Sequence, residues 1–415
     1  MATMKRLCIL GIVLVISSVA NADSDLVNLK YDRRDLGGQV PAGGGPVIDV
    51  SKCPGAKGDG SSDMTQVIMK AWNDACHAPS PSRLLIPAGI WLAGELEFEG
   101  PCTAPLVTVE VQGTLKGKPE AAAYPKNYQV YFSRCSFQIV GSGTIDGNGA
   151  AAQAIKKASG GKNLPDTVVA IQCPNSGVSG VKIINSKGFH LKVVECDNFK
   201  ADSIAITSPE TTLNTDGIHI ARCKGACITN INIATGDDCI SIGDAMVDLT
   251  IRNIVCAPGH GISIGSLGKF PDEKDVRNVE ISNVTLVNTM YGLRIKTIHS
   301  GTALAVSNVT YSNIQCKGCG SPIIIDQHYN GGSLTRTPGD SKVRISGVTF
   351  KNMKGTTSAN VVATLLCSTA CGCEGINIQD VSLAYSGTDT EDKGLRTTCE
   401  NAKATFTGCT IPACK

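Results

Sequence analysis

Four polar residues that open copies of one short motif are the residues best suited to chemistry in this chain. Asp216, Asp238, His260 and Tyr291 each precede glycine or cysteine, an apolar residue, any residue and a second apolar residue. Asp237 directly precedes Asp238. If these motifs form successive parallel strands, equivalent side chains face the same way about 4.8 Å apart. Three carboxylates and an imidazole would then share one patch.

Such a patch has a definite chemical use. Neighbouring carboxylates repel one another, so at least one has its pKa raised and keeps its proton. A protonated carboxyl can protonate the leaving oxygen of a glycosidic bond while an ionised one activates water or attacks carbon. Arg294 and Lys296 fall on the same face, in the motif that begins at Tyr291 and follows that of His260, and would attract an anionic sugar. The pattern predicts a glycosidase for an acidic polysaccharide.

Each residue also has a simpler explanation. A single aspartate at a strand start is often a turn residue, His260 lies between two glycines, and the two cations could form a solvated face. Clustered aspartates could instead bind calcium, although the neighbouring cations would repel the metal. The joint alignment favours function, because like charges stacked on adjacent strands destabilise a sheet.

The elements that would position these residues are short repeated strands. The motif recurs at spacings of 22 to 31 residues, beginning at Lys187, Asp216, Asp238, His260, Tyr291 and Ser321. A second motif, apolar-x-Asn-apolar, alternates with it and contains Asn230, Asn253, Asn283 and Asn308. No helical period intervenes, so the spacing predicts a parallel β-helix whose asparagines stack at the turns. A β-sandwich or a propeller is the alternative.

A short amphipathic helix is predicted to cap the first coil. Asp63 and Gln66 have the spacing of a capping box, and Val67, Ala71 and Ala75 fall on one face. Such a helix would cover an exposed sheet edge.

The start of the chain resembles a secretory leader. Residues 1–22 contain Lys5 and Arg6, an apolar run and a small-residue cleavage site. A membrane anchor is the alternative, but the apolar run is shorter than the ~20 residues that a span needs. We expect residues 1–22 to be a signal peptide, 23–45 a flexible segment and 46–415 a single catalytic domain. The protein would then be secreted, with no membrane attachment after cleavage.

Composition narrows the class of partner. The chain has 38 basic and 36 acidic residues, and removing the two basic residues of the leader leaves 36 of each. A neutral chain argues against nucleic-acid binding, so any polyanion must bind a local basic cluster. We also expect a monomer.

Cysteines indicate an oxidising compartment. There are 19, and Cys8 lies in the predicted leader, which leaves an even 18 that favour several disulfides. Zinc at Cys316–Cys319 or Cys371–Cys373 is the alternative, but neither has a matching second pair. Asn283 and Asn308 begin sequons and are predicted glycosylation sites.

Four ordered blocks resemble the motifs of the polygalacturonases, glycoside hydrolase family 28. They are Asn214-Thr-Asp216, Gly236-Asp-Asp238, Gly259-His-Gly261 and Arg294-Ile-Lys296. The resemblance extends over nearly the whole chain after the leader. It is greatest to the plant pollen type, usually described as exopolygalacturonases.

This resemblance implies a right-handed parallel β-helix that hydrolyses α-1,4 bonds of galacturonan, or pectin, with inversion. It implies that Asp237 is the general acid and that Asp216 and Asp238 activate water. It further implies that His260 tunes the protonation of the acid. The place of action would be the plant cell wall.

The remaining implied roles concern binding and support. The implied substrate-binding residues are Asn214, Arg294, Lys296 and Tyr329. Cys239 and Cys256 match a disulfide of the family, and no metal or organic cofactor is implied.

Two other functions remain open on the sequence. A pectate lyase would use calcium and elimination, and a non-catalytic pectin-binding wall protein would release no reducing ends. The intact acidic residues and histidine favour the hydrolase. Exo or endo action depends on loops that the sequence does not define.

Overall fold

The computed structural model describes part of the chain, namely residues 45–159, 163–299, 302–331, 339–388 and 394–414. The predicted signal peptide (1–22) and the predicted flexible segment (23–45), apart from Gly45, lie outside the described residues. The domain boundaries therefore stay predictions.

Short strands dominate the described residues, together with two α-helices and two 3-10 turns. The helices are α1 (Thr65–Cys76) and α2 (Ala150–Ser159), and the 3-10 turns are Val50–Lys52 and Ala121–Ala123. The strands are β1 (Val47–Asp49), β2 (Asp59–Asp63), β3 (Ser82–Ile86), β4 (Ile90–Ala93), β5 (Leu96–Glu99), β6 (Val107–Val111), β7 (Thr114–Gly117), β8 (Tyr128–Ser133), β9 (Phe137–Gly141), β10 (Thr144–Asp146), β11 (Asp166–Ile171), β12 (Gly177–Ser179), β13 (Lys182–Ile184), β14 (Leu191–Val194), β15 (Lys200–Asp202), β16 (Ala205–Thr207), β17 (Ile218–Ala221), β18 (Cys227–Ala234), β19 (Ile240–Ile242), β20 (Val247–Cys256), β21 (Ile262–Leu267), β22 (Val276–Val287), β23 (Tyr291–Thr297), β24 (Leu304–Cys319), β25 (Ser321–Asp326), β26 (Val343–Thr357), β27 (Val361–Leu366), β28 (Cys373–Tyr385), β29 (Arg396–Glu400) and β30 (Ala402–Thr407).

The strands form two parallel sheets wound around one core. One sheet has eleven strands that stack in chain order from β5 to β29, and the other has nineteen. Each coil therefore places one strand in the eleven-stranded sheet and the rest in the other. This arrangement confirms the predicted right-handed parallel β-helix.

The strand register confirms the equivalence of the motif positions around the site. Ile218 pairs with Ile240, Ile240 with Ile262, Ile262 with Leu293 and Leu293 with Ile323. Residues two positions earlier are therefore equivalent in adjacent coils, which places Asp216, Asp238, His260 and Tyr291 in one column.

The first copy of the motif is wrongly aligned. Leu191 pairs with Ile218, not with Ile220 as the motif starting at Lys187 requires. Phe189 is therefore the equivalent of Asp216, two residues away from the prediction. The motif matched because alternation has a period of two, which leaves the face unchanged when the register shifts by two.

A column of asparagines runs up the turns of the nineteen-stranded sheet. Their side-chain amides donate to the preceding member of the column over 2.6–3.2 Å, in the order Asn352, Asn313, Asn283, Asn253 and Asn230. All five have positive φ angles of 53–58°. Asparagine suits this position because it tolerates the left-handed conformation and bonds to both neighbours.

We expect Asn313→Ala to lower the free energy of unfolding by about 2 kcal/mol, because it removes two hydrogen bonds and leaves a β-carbon at φ 57°. Asn313→Gly also removes the two hydrogen bonds, but it has no β-carbon at this positive φ. It should therefore lower the free energy of unfolding by about half as much. Urea unfolding of the three proteins measures both quantities. An alanine variant as stable as the wild type would show that the column does not stabilise the coils.

Helix α1 covers the first coil as predicted, but its start differs from the prediction. Ile68, Ala71 and Trp72 are buried, and the helix contacts β1, β3 and β5. The predicted capping box is wrong, because the N-cap is Met64 and its side chain makes no capping bond. Asp63 instead accepts from the Thr65 amide at 3.0 Å.

Helix α2 was not predicted. It lies between β10 and β11, in a sequence where the repeat pattern indicated strands only. Its ten residues are five alanines, Gln153, Ile155, two lysines and Ser159, a run rich in good helix formers. That composition was the available signal. No helix among the described residues is long and apolar enough to cross a membrane.

Five disulfides join cysteines of the described residues, as the cysteine count predicted. They are Cys76–Cys102, Cys239–Cys256, Cys316–Cys319, Cys367–Cys373 and Cys399–Cys414. The pairs at Cys316–Cys319 and Cys367–Cys373 use the residues of both alternative zinc sites, apart from Cys371. Eight further cysteines of the described ranges are not disulfide-bonded.

Candidate active site

The column of motif positions brings the predicted site residues onto one face of the eleven-stranded sheet. Asp216 precedes β17, Asp238 precedes β19 and His260 precedes β21, in three adjacent coils. One ligand atom from each of Asp237, Asp238 and His260 lies within 4.8 Å of the others. The site is therefore a compact cluster built from neighbouring coils.

Asp238 lies at the buried centre of this cluster. Its Oδ1 accepts from Arg294 Nη2 and from Ser263 Oγ, both at 2.8 Å. Its Oδ2 accepts from Lys296 Nζ at 2.8 Å. Arg294 Nε also donates to Ser263 Oγ at 3.1 Å. Both carboxylate oxygens are thus held by cations.

The two equivalent aspartates have opposite pKa shifts. Burial by itself would raise the pKa of Asp238, but the charges of Lys296 and Arg294 outweigh burial and lower it to about 2. Burial, followed by repulsion from Asp238 and Asp237, raises the pKa of Asp216 well above its ordinary value. The surroundings therefore favour the ionised form of Asp238 and the protonated form of Asp216, as expected for repelling carboxylates.

Asp237 is the most accessible of the three carboxylates. Its side chain is 21% exposed, against 3% for Asp238. Its Oδ1 lies 3.1 Å from His260 Nδ1 and accepts from the Asp238 amide at 2.8 Å. Its Oδ2 accepts from Asn214 Nδ2 at 3.3 Å. Asp237 can therefore reach a substrate while its orientation is held from both sides.

Two local features position His260. Gly261 has φ 75°, and a β-carbon there would lie 2.0 Å from Gly292 O. Only glycine fits this turn, which carries His260 up to Asp237. The disulfide between Cys239 and Cys256 links the residue after Asp238 to the end of β20, four residues before His260.

Arg294 and Lys296, which the sequence predicts to bind substrate, both form ion pairs with Asp238 in the structure. They are 5% and 6% exposed. The Arg294 guanidinium also lies 4.1 Å from the centre of the Tyr291 ring, and Lys296 Nζ lies 5.4 Å from that of Tyr329. Sequence reasoning placed these cations on the correct face but did not foresee that they neutralise Asp238.

A groove continues from the cluster along the N-terminal coils. Its cavity measures about 650 Å³ and reaches Asn214, the residue that holds Asp237. The lining also includes Tyr128, Tyr131, Phe189, Lys156 and Lys192. Sequence reasoning missed this part of the site, because Lys156 belongs to the unpredicted helix α2.

The donor set does not fit a calcium ion. Asp237, Asp238 and His260 are close enough to be ligands. However, Arg294 and Lys296 occupy both oxygens of Asp238, and calcium prefers several unoccupied oxygen ligands.

The raised pKa of Asp216 predicts a pH-dependent stability cost. Folded Asp216 keeps its proton to a higher pH than the unfolded chain does, so the unfolded state binds fewer protons between those two pKa values. The free energy of unfolding must therefore fall as pH rises through that window.

We expect Asp216→Asn to remove this fall. The variant should gain thermal stability relative to the wild type at pH 7 but much less at pH 4, while its turnover decreases. Circular dichroism melting curves at both pH values measure the difference. An equal Tm difference at pH 4 and pH 7 would show that Asp216 is not the group responsible.

Sequence comparison identifies a family model that covers most of the chain. The model of glycosyl hydrolases family 28 matches residues 76–409. An exopolygalacturonase of Zea mays is 38% identical over 374 residues, which cover 89% of this chain and 90% of the relative. An exopolygalacturonase of Platanus acerifolia is 35% identical over 365 residues, which cover 87% and 96%.

Solved structures share the fold at lower identity. An exopolygalacturonase from Thermotoga maritima superposes with a TM-score of 0.72 at 22% identity, covering 87% of this chain and 90% of the other. A polygalacturonase from Erwinia carotovora gives 0.71 at 24% identity, covering 90% and 100%. These likenesses establish the architecture.

Proposed function

Because the chain belongs to glycosyl hydrolases family 28, we propose that it is a pectin-degrading glycosidase that hydrolyses α-1,4 bonds between galacturonate units. The observation that carries the proposal is the charge arrangement of the cluster. An ionised Asp238 and an Asp216 of raised pKa lie in adjacent coils beside the accessible Asp237. The plant relatives named exopolygalacturonase support the substrate class.

In the proposed mechanism Asp237 is the general acid. It donates a proton to the glycosidic oxygen as the bond from that oxygen to the anomeric carbon breaks. Its exposure and its hydrogen bond from Asn214 suit a group that must meet the substrate. His260, 3.1 Å from Asp237 Oδ1, holds the acid and supplies the proton that restores it.

Asp238 is the general base of the same proposal. A water molecule attacks the anomeric carbon from the opposite face and gives its proton to Asp238, which its two cations keep ionised. Asp216, in the preceding coil, has a raised pKa that favours its protonated form, and it holds the water in place. One water attacks in a single displacement, so the configuration inverts.

We further propose an exo-acting, secreted monomer of the plant cell wall. The exopolygalacturonase relatives support the exo mode, and five disulfides support an oxidising compartment. Asn283 and Asn308 remain proposed glycosylation sites. Their side-chain amides donate to Asn253 and Asn278, so a glycan at either residue would be attached to a nitrogen that also bonds to an asparagine of the preceding coil.

The proposal predicts the products of polygalacturonic acid. Early samples should contain galacturonate monomer and new reducing ends, without ultraviolet-absorbing unsaturated sugars, and a chelator should leave the rate unchanged. Chromatography with absorbance detection, with and without chelator, measures all of these. Oligomers of many lengths would contradict exo action, whereas unsaturated products that stop with chelator would identify a calcium-dependent lyase. Binding of pectin without any cleavage would indicate a non-catalytic wall protein.

A further inference from the structure

Lys156 is a buried cation in the groove that none of the steps above uses. It is 7% exposed and belongs to α2, which packs over the loop before Asp216. Its Nζ donates to Asn214 Oδ1 at 2.9 Å and lies 3.5 Å from Leu213 O. Asn214 in turn donates to Asp237. The side chain of Asn214 therefore links the ammonium group of Lys156 to the proposed general acid, Asp237.

The charge of Lys156 lacks a direct counter-ion. Among the described residues, no carboxylate oxygen lies within 4.0 Å of its Nζ. Burial lowers the pKa of Lys156, and the more distant charges of Asp237, Asp166 and Asp216 offset this only in part. A buried charge is costly unless it is paired, so an arriving anion would gain by meeting it.

The other two lysines of the groove differ in this respect. Lys192 Nζ lies 3.4 Å from Asp166 Oδ2, and Lys126 Nζ lies 2.6 Å from Glu97 Oε2. Both are also more exposed, at 35% and 55% of their side chains. Among the described residues, Lys156 is thus the groove lysine that has no directly paired carboxylate.

Helix α2 has an anchor to the loop before Asp216 other than Lys156. Gln153, one turn earlier on the same helix, donates to Lys187 O at 2.6 Å and to Leu213 O at 3.0 Å. It also accepts from the Leu213 amide at 2.9 Å. The helix is therefore anchored to the loop without the lysine.

We propose that Lys156 binds the carboxylate of one sugar unit of the substrate. This unit would lie next to the cleaved bond, on the side that faces the N-terminal coils of the β-helix. This inference rests on the proposed hydrolysis of galacturonan. Arg294 and Lys296 lie on the C-terminal side of Asp238 and Lys156 on the N-terminal side, so the cluster has a cation on each flank. Each flank would bind one acidic sugar unit. Lys156 would then determine specificity for a sugar with a free carboxylate over the same sugar as its neutral ester.

The test uses charge removal with a matched control. Lys156→Gln keeps a donor for Asn214 and Leu213 but loses the charge, and Lys156→Arg keeps the charge. Lys157→Gln removes an exposed charge from the next residue of α2. KM and kcat on polygalacturonic acid are measured for the three variants and the wild type. The expected result is a rise of KM of about tenfold for Lys156→Gln, since a charged hydrogen bond is lost, with Lys156→Arg and Lys157→Gln near the wild type.

The outcomes are distinguishable. An unchanged KM in a folded Lys156→Gln overturns the inference, as does a fall of kcat and Tm without a change of KM. If Lys156→Gln does not fold, Lys156→Met replaces it, and loss of fold in both makes Lys156 a structural residue and overturns the inference. A wild type that releases no reducing ends from polygalacturonic acid contradicts the proposed function itself.

Discussion

Asp237→Asn is expected to fold normally and to lose turnover by about 10²- to 10⁴-fold, the usual contribution of a general acid. The amide can still accept from the Asp238 backbone, and the position is 21% exposed, so little stability depends on the charge. It cannot donate a proton to the leaving oxygen. Initial rates of reducing-end release from polygalacturonic acid measure the loss.

Asp248→Asn is a suitable control for this variant. Asp248 is an exposed member of β20 whose Oδ1 accepts from Asn278 Nδ2 at 2.8 Å, and the oxygen of an asparagine can accept the same bond. It removes one carboxylate far from the cluster and should leave kcat unchanged. If Asp237→Asn retained a rate close to that of the control, Asp237 would have no part in the chemistry.

Lys296→Met is expected to reduce both kcat and stability, which differs from the effect of losing a simple substrate contact. Lys296 is buried and donates to Asp238 Oδ2 at 2.8 Å, so its removal leaves that oxygen without its cation. Breaking a buried pair costs about 3 kcal/mol of the free energy of unfolding. Without Lys296 the pKa of Asp238 must rise, because the Lys296 charge contributes most to lowering it.

Loss of Lys296 should also change the pH dependence of kcat. Asp238 is active as a base only when ionised, so a higher pKa moves the acid limb of the kcat profile to higher pH. Lys70→Met is the matched control, since Lys70 pairs with Asp74 on the exposed side of α1. A change in KM alone, with an unmoved acid limb, would mean that Lys296 serves the substrate and not Asp238.

The central coils were predictable from sequence because each motif carries its own register. A small residue followed by two alternating apolar residues defines which side chain enters the core. The sequence alone therefore places Asp216, Asp238 and His260 in one column. The register predicted from the copy at Lys187 is wrong by two residues. A shift of two residues leaves the alternation of apolar residues unchanged, so the motif cannot detect it.

The features of the site that the sequence did not predict depend on how deeply side chains are buried and on elements inserted into the repeat. Alternation placed Arg294 and Lys296 on the correct face, but a face does not reveal that both are buried against Asp238. Helix α2 is a ten-residue element inserted between strands of the repeat, so the repeat spacing does not predict it. Lys156 was missed for that reason, although it lies beside Asn214 in space.

The configuration of the first product tests the central claim most directly, since inversion requires water and an ionised base on the face opposite the acid. Proton NMR during the first turnovers of polygalacturonic acid measures that configuration. The account predicts that the β-anomer appears first and then mutarotates to the equilibrium mixture. An initial α-anomer would indicate a covalent intermediate, and would contradict the assignment of Asp238 and Asp216 to a single attacking water.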